Sequence, residues 1–182
     1  MSLVAISGNA SGTGTLTIAA PNTNSNYTLT LPTNTGTLIS TKSAGTVLQV
    51  VNVVYATLAS STTSTYVDTG LSASITPSSS SSKILVLVDQ GGCGKQTNNT
   101  RIKLQLLRGS TSIQVIDAGI GAFTNSTTTN FIGSISIAYL DSPSTTSSTT
   151  YKTQFASNDN NNGVFVQTDG SASSITLMEI AA

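Results

Sequence analysis

The sequence predicts an all-β domain made of many short strands, either a sandwich or a barrel. Apolar residues alternate with polar ones in successive segments, which is the period of a strand with one buried face. Clusters of Gly, Pro, Ser, Asn or Asp separate these segments at near-regular spacing, and no helical period occurs. Ser and Thr form about a third of the chain, but an apolar fraction of 37% and many β-branched residues favour a folded domain over disorder.

The predicted strands lie between residue 45 and the C-terminus. Alternation is clearest where Ile102, Leu104 and Leu106 share one face of a segment. Ile84–Val88 is a continuous apolar run, which predicts a central strand buried on both faces, and Ser78–Ser82 predicts a flexible turn before it. The ten predicted strands are Val47–Thr57, Thr65–Thr69, Ala73–Thr76, Lys83–Asp89, Arg101–Arg108, Ser112–Ala118, Thr129–Leu140, Thr149–Ser157, Val164–Thr168 and Ser174–Ile180.

Residues 1–44 are predicted to form an extended N-terminal arm, and residues 45–182 the β domain. The arm contains three short alternating runs between turn clusters, Leu16–Ile18, Tyr27–Leu31 and Leu38–Ile39. Strands this short cannot bury enough surface by themselves. We therefore expect the arm to pack on another chain or on the following domain.

Composition and charge argue against several classes of function. Only 8% of the residues are charged and the formal net charge is zero, so the basic excess of a nucleic-acid binder is missing. The chain has no histidine and a single cysteine, Cys93, which leaves no disulfide framework and no Cys-His metal cluster. The N-terminus does not resemble a signal peptide, and the most apolar stretch, Val47–Ala59, is too short and too polar to span a bilayer. We expect a soluble protein without a cofactor, a metal ion, direct nucleic-acid contacts or a membrane.

The carboxylates do not form the pattern of a glycan-cleaving enzyme, which places two of them across a sugar bond. The chain has one glutamate, Glu179, no Trp, and only 5% aromatic residues on which a sugar could stack. We predict a non-enzymatic protein with no catalytic residues. Five aspartates end or follow predicted strands, where Asp stabilises turns: Asp89, Asp117, Asp141, Asp159 and Asp169.

Two short motifs have simpler interpretations than a ligand site. Asp159–Gly163 has its Gly in the fifth position of a calcium loop instead of the sixth, and Gly170 stands where the bidentate Glu belongs. An Asn-Gly hairpin between Phe155 and Phe165 accounts for the same residues. Gly91–Lys95 lacks the spacing, the following Ser or Thr and the helix of a phosphate loop, and it predicts a mobile loop at one end of the domain.

Several segments resemble structural proteins of tailed bacteriophages. The stretch from Gly12 to Ile39 looks like an arm of such proteins, and the rest is similar to jelly-roll domains of phage tail fibres and capsid decoration proteins. The resemblance, and not the residue pattern, implies a jelly roll and a homotrimer. The segments that carry it in the domain are Thr69–Pro77, Ser82–Val88, Leu104–Gly109, Tyr139–Pro143 and Ile175–Ile180.

The resemblance implies a structural protein on the outer surface of the virion, with two roles open. As a capsid decoration (cement) protein, the chain would dock its arm on the major capsid protein, and its trimer would stabilise the shell. As a short tail fibre on a tail adaptor, it would bind a host receptor through its loops. The absence of a long shaft favours decoration. The polar loop tips predicted to make outside contacts are Lys95–Arg101, Thr124–Thr129, Ser142–Thr150 and Asn158–Gly163.

Overall fold

The computed structural model describes residues 11–13, 24, 44–96, 100–118, 130–159 and 163–182, with backbone alone for residues 130–132. The chain divides into two compact units, residues 1–37 and 38–182. The three predicted strands of the arm lie outside the described residues. The arm and its boundary near residue 44 therefore stay predictions, and the fold described below is that of the second unit.

Alternating segments form the strands, and Gly, Ser and Asn clusters form the connections between them, as expected for chains whose apolar residues recur at period two. The described part of the second unit contains one 3₁₀ helix, Thr168–Gly170, and ten strands. The strands are β1 (Val47–Tyr55), β2 (Ala59–Ser61), β3 (Val67–Ile75), β4 (Lys83–Lys95), β5 (Ile102–Arg108), β6 (Thr111–Asp117), β7 (Asn130–Asp141), β8 (Thr149–Ser157), β9 (Val164–Val166) and β10 (Ser173–Ile180).

The strands form two antiparallel sheets. In sheet A, β1, β10, β4 and β7 lie side by side, and the short pair β2 and β9 extends the sheet along β4 past the end of β10. Sheet B has the order β3, β8, β5, β6. The pairs are nested along the chain, β1 with β10, β3 with β8, β4 with β7 and β5 with β6, which is the topology of a jelly roll. The predicted antiparallel β-sandwich is confirmed.

The core lies between the sheets in two apolar clusters. The first includes Leu71, Val86 and Tyr151, and the second includes Phe155 and Ile102, all of them fully buried. Each large apolar side chain that leaves water contributes about 1.5–3 kcal/mol. The burial of alternate residues along β3, β5, β8 and β10 explains why the period-two pattern predicted these strands well.

A chain of buried polar side chains runs between the two clusters and links the sheets. In sheet B, the hydroxyls of Thr69 and Thr153 are 2.6 Å apart. The Thr153 hydroxyl donates to Gln90 Oε1 in sheet A at 2.8 Å, and Gln90 Nε2 donates to Ser173 Oγ at 2.8 Å. All four residues are at most 1% exposed. We call them the polar belt, and because its buried polar groups need partners, it fixes how the sheets pair across the core.

One glycine explains why two predicted strands are a single strand. The segments Thr65–Thr69 and Ala73–Thr76 both belong to β3, whose pairing with β8 is irregular between Asp68 and Ser72. Gly70 lies in this irregular stretch with a φ of +90°, a conformation that L side chains rarely adopt. The ring of Tyr55 covers it so closely that a Cβ would lie 2.7 Å from the Tyr55 hydroxyl oxygen.

We expect Gly70→Ala to lower the free energy of unfolding by about 2–4 kcal/mol, because it combines a strained φ with a collision against Tyr55. Gly109→Ala is the matched control, because Gly109 also has a positive φ of +60° but nothing lies within 4 Å of the added Cβ. We expect this variant to lose about 1–2 kcal/mol of its free energy of unfolding. Urea denaturation followed by circular dichroism measures both. Equal losses would contradict the role given to the Tyr55 ring.

The prediction of a mobile loop at Gly91–Lys95 is wrong, because these residues are the last five of β4. The glycines allow a close approach of backbones: a Cβ on Gly91 would collide with the Ala172 carbonyl, and one on Gly92 with Thr168. Small residues at such positions are typical of strands that pass close to another backbone. Lys95, at the end of this run, is fully buried.

The predicted Asn-Gly hairpin between Phe155 and Phe165 is also wrong. Phe155 lies in β8 of sheet B and Phe165 in β9 of sheet A, so the two strands do not pair with each other. The composition of a turn indicates where the chain reverses, but not which strand it pairs with next.

Candidate assembly surface

The outer face of sheet B is mainly polar, with Val115 of β6 as an exposed apolar residue. Lys152 forms an ion pair with Asp68 at 2.9 Å, and Gln154 Nε2 donates to the same carboxylate at 2.8 Å. Gln105 Nε2 donates in turn to Gln154 Oε1 at 3.0 Å. The hydrogen bonds from Lys152 and Gln154 outweigh partial burial and lower the pKa of Asp68, so this carboxylate is ionised at neutral pH. This face has the polar coverage that is expected of a surface in contact with water.

The outer face of sheet A carries a row of four apolar side chains across four strands. The register places Val50 of β1 beside Met178 of β10, Met178 beside Leu85 of β4, and Leu85 beside Leu140 of β7. We call this the apolar row. Its two ends lie on the edge strands and are each 56% exposed. Contiguous exposed apolar surface of this kind marks interaction sites.

Neighbouring outward residues widen the apolar row into a patch. Leu87 and Ala138 are paired across β4 and β7 on one side of it, and Val47 and Ile180 across β1 and β10 on the other. Val54, further along β1, is 60% exposed, but Asn52 lies between it and Val50 and donates to Thr176 Oγ1 of β10 at 2.7 Å. Cross-strand pairs of apolar residues stabilise a sheet only modestly when one face is open to water, so the patch is suited to burial against something else.

The expectation that Ile84–Val88 is buried on both faces is half right. Ile84, Val86 and Val88 point into the core and are 3% exposed or less, whereas Leu85 and Leu87 point outward and are partly exposed. The run belongs to the central strand of sheet A, as predicted, but the second face lacks a cover among the described residues. A partner on this face would complete the burial that the sequence predicts.

Two charges of opposite sign stand at opposite ends of this face. Among the described outward residues of β1, β10, β4 and β7, the charged side chains are Lys83 and Asp89, both on β4. Lys83 Nζ donates to Ser142 Oγ at 2.8 Å, and Ser136 Oγ donates to Asp89 Oδ1 at 3.0 Å. The prediction that Asp89 serves a turn at a strand end is wrong, because β4 continues for six residues beyond it.

A serine-rich pocket of about 540 Å³ lies beside the C-terminus, lined by Leu48, the Ser78–Ser82 loop, Ala181 and Ala182. The buried carboxylate of Glu179 holds this loop: it accepts from Ser78 N and Ser78 Oγ at 2.7 Å each, and from Gln49 Nε2 at 2.6 Å. Burial alone would raise the pKa of Glu179, but these hydrogen bonds hold it at about 2. An ionised carboxylate with this low pKa is a poor general acid, and its hydrogen bonds give it a structural role.

The depressed pKa of Glu179 predicts acid sensitivity. Because the pKa falls from 4.5 to about 2 on folding, the stabilisation is fully present above pH 4.5 and is lost as the pH falls through 2. We expect a loss of up to about 3 kcal/mol over this window, and Glu179→Gln should flatten this part of the profile. Urea denaturation of both proteins between pH 2 and 6 measures the difference. Identical pH profiles would show that Glu179 does not control this transition.

A second buried carboxylate links the two sheets. Asp141, the last residue of β7, binds the Arg108 guanidinium at 2.9 Å and accepts from the Tyr151 hydroxyl at 2.6 Å. This contact joins sheet A to sheet B, and burial, reinforced by the bond to Asp141, raises the pKa of Tyr151. Asp117 ends β6 and Asp159 follows β8, as predicted for turn residues. Asp169 lies in the 3₁₀ helix with a φ of +52°.

The described residues contain no group of three or more His, Cys, Asp or Glu side chains that could hold a metal ion. Cys93 is buried, and burial is the main cause that raises the pKa of its thiol to about 12. A thiol with such a pKa is a poor nucleophile and a poor metal ligand at neutral pH. In the part of the chain that the structure describes, no helix has the length and hydropathy of a membrane span.

Of the four predicted loop tips, Ser142–Thr150 is fully described and joins β7 to β8. Thr124–Thr129 lies outside the described residues, as do the middle residues of Lys95–Arg101 and Asn158–Gly163. The sequence did not single out the apolar row, which becomes visible only when the register of four strands is known.

The fold and this surface define a class: a jelly-roll β-sandwich with an exposed apolar row on the outer face of sheet A. No protein-family model matches the chain, and no curated protein does. Similar solved structures include the VP2 subviral particle of infectious bursal disease virus, with a TM-score of 0.46 and 9% identity over 73% of this chain and 33% of that one. The structure of T=1 particles derived from infectious bursal virus has a TM-score of 0.40 and 10% sequence identity, over 74% of this chain and 36% of that one.

A third similar structure, that of the Gx strain of infectious bursal disease virus, gives a TM-score of 0.38 and 16% identity over 72% of this chain and 36% of that one. The similar structures are viral capsid proteins. This chain spans about a third of the length of the chains it matches.

Proposed function

We propose that this chain is a capsid decoration protein of a tailed bacteriophage, which binds the outside of the capsid shell as a homotrimer and stabilises it without catalysing a reaction. The observation that carries the proposal is the exposed apolar row of sheet A. A folded domain of this size that keeps such a patch on one face, and a hydrogen-bonded polar face opposite, is built to associate with protein.

The use of the ionisable residues supports a structural role. Asp68, Asp141 and Glu179 each form hydrogen bonds or ion pairs that hold strands or loops in place. The pKa values of Asp68 and Glu179 both lie below their usual range, so neither carboxyl group is the general acid that glycan cleavage needs. Association through apolar contacts is also little affected by ionic strength, which suits a particle exposed to varied salt outside a cell.

A virion that lacks the protein tests the proposal. We expect deletion of its gene to leave adsorption to host cells unchanged and to lower the temperature at which the capsid releases DNA. Addition of the purified full-length chain should restore the wild-type temperature. Normal heat stability together with lost adsorption would overturn decoration in favour of the short tail fibre, whose candidate contacts are the polar loops such as Ser142–Thr150.

A further inference from the structure

We propose that copies of this chain meet through the outer face of sheet A, with the Lys83 end of one copy against the Asp89 end of the next. The inference rests on the proposed homotrimer and assigns the surface that forms it. The partner is therefore a second copy of the same chain, and the apolar rows of the copies together form the centre of the interface.

The charges on this face are arranged for contact with a second copy. Lys83 and Asp89 carry opposite signs, lie on the same strand, and are separated by the two outward leucines, Leu85 and Leu87. A surface with a positive and a negative end and an apolar middle is complementary to itself when copies are arranged head to tail. Complementary charge at the rim with apolar residues in the middle is the usual anatomy of specific interfaces.

The area of this face decides how copies can associate. Lys83 and Asp89 are six positions apart on β4, so the face between them is about 20 Å long, and four strands make it about 19 Å wide. Each copy thus offers about 400 Å² in projection, and three copies bury about 1,200 Å² together, or about 400 Å² at each of the three contacts. One contact of this size is too small to be stable by itself, so the face associates as a closed ring in which all three contacts form together.

The dimensions of this face also fit a threefold axis. Three such faces can surround the axis as the sides of a triangle, with the strands perpendicular to the axis. Because each side is about 20 Å long, every sheet lies about 6 Å from the axis. Sheets packed face to face are about 10 Å apart, so each fills about 5 Å with side chains. Met178 and the outward leucines therefore fill the centre, and the Lys83 end of each copy meets the Asp89 end of the next.

The test measures the mass of the full-length chain by light scattering across a range of concentrations. The wild type is expected at three times the 18.5 kDa of one chain. Lys83→Glu and Asp89→Lys should each raise the midpoint concentration of dissociation roughly tenfold or more, because each places like charges together at every contact. The double variant, Lys83→Glu with Asp89→Lys, restores opposite pairs and should return the midpoint towards the wild-type value.

Substitutions within the patch provide the second half of the test. Leu140→Asp should yield a folded monomer, since Leu140 is 56% exposed and its replacement leaves the core unchanged. Ser72→Asp, an exposed position on β3 in the polar face of sheet B, is the control and should leave the mass unchanged. Circular dichroism confirms that each variant is folded.

A wild-type monomer, or a trimer that survives Leu140→Asp, would overturn this inference. A double charge variant as dissociated as the single variants would overturn the head-to-tail arrangement.

Binding of the same proteins to virions that lack the chain is measured in a separate experiment. A monomer whose capsid binding is lost through Leu140→Asp would place the capsid on this face, against this inference but in favour of decoration. A trimer that does not bind virions would leave the inference intact and contradict the proposed function.

Discussion

Asp141→Ala is expected to lower the free energy of unfolding by about 2–4 kcal/mol. The substitution leaves the fully buried Tyr151 hydroxyl without its acceptor and Arg108 without its counter-ion, at a position where the two sheets are joined. Breaking a buried pair costs 3–5 kcal/mol, and the effect is smaller here because the Arg108 side chain is 33% exposed and regains some hydration. Urea denaturation measures the loss.

Asp68→Ala is the matched control for this substitution. It also removes a carboxylate that lies 2.9 Å from a basic side chain, but the Asp68 side chain is 53% exposed, on the outer face of sheet B. An exposed pair of this kind contributes at most about 1 kcal/mol. Similar losses for the two variants would contradict the interpretation of Asp141 as a buried link between the sheets.

Gln90→Leu should lower the free energy of unfolding by about 2–3 kcal/mol, although leucine has a similar size and is more apolar. The substitution removes the acceptor of the Thr153 hydroxyl and a donor to Ser173 in the polar belt, and the buried groups left behind cannot reach water. We expect a faster unfolding rate as well as a lower equilibrium free energy of unfolding, because native packing across the core is disturbed.

Gln105→Leu tests whether burial is the reason. Gln105 also makes two side-chain hydrogen bonds, to Gln154 and from Ser112, but it lies on the outer face of sheet B, where water can replace them. We expect a change of less than about 1 kcal/mol. If leucine at position 90 were neutral or stabilising, the polar belt would have no role in holding the sheets together.

The sequence predicted the sandwich because a strand with one face in the core has an apolar residue at every second position. This pattern is contained within each short segment of the chain, so it can be recognised without knowing the fold. Strands β5, β8 and β10 were predicted nearly to their ends for that reason. β2 was missed because its three residues, Ala59–Ser61, are too few to show a period. The end of β4 was missed because its glycines serve contacts with the segment Thr168–Ala172, which is distant in sequence.

The candidate surface could be predicted only in part. The apolar run Ile84–Val88 correctly predicted a central strand, but the expected burial of both faces is found on the core face alone. The row from Val50 to Leu140 requires the register of four strands that come from distant parts of the chain, and no local pattern contains it. The same holds for the polar belt, whose Thr, Ser and Gln residues are ordinary in a chain this rich in hydroxyls.

The number of copies per virion tests the central claim most directly. Quantitative mass spectrometry of purified virions gives the ratio of this protein to the major capsid protein. A protein that covers the shell as a decoration trimer should be present near parity with the capsid protein or at a simple large fraction of it. A ratio of a few per cent or less would place the protein at the tail or at a unique vertex, and would contradict its proposed role in stabilising the shell.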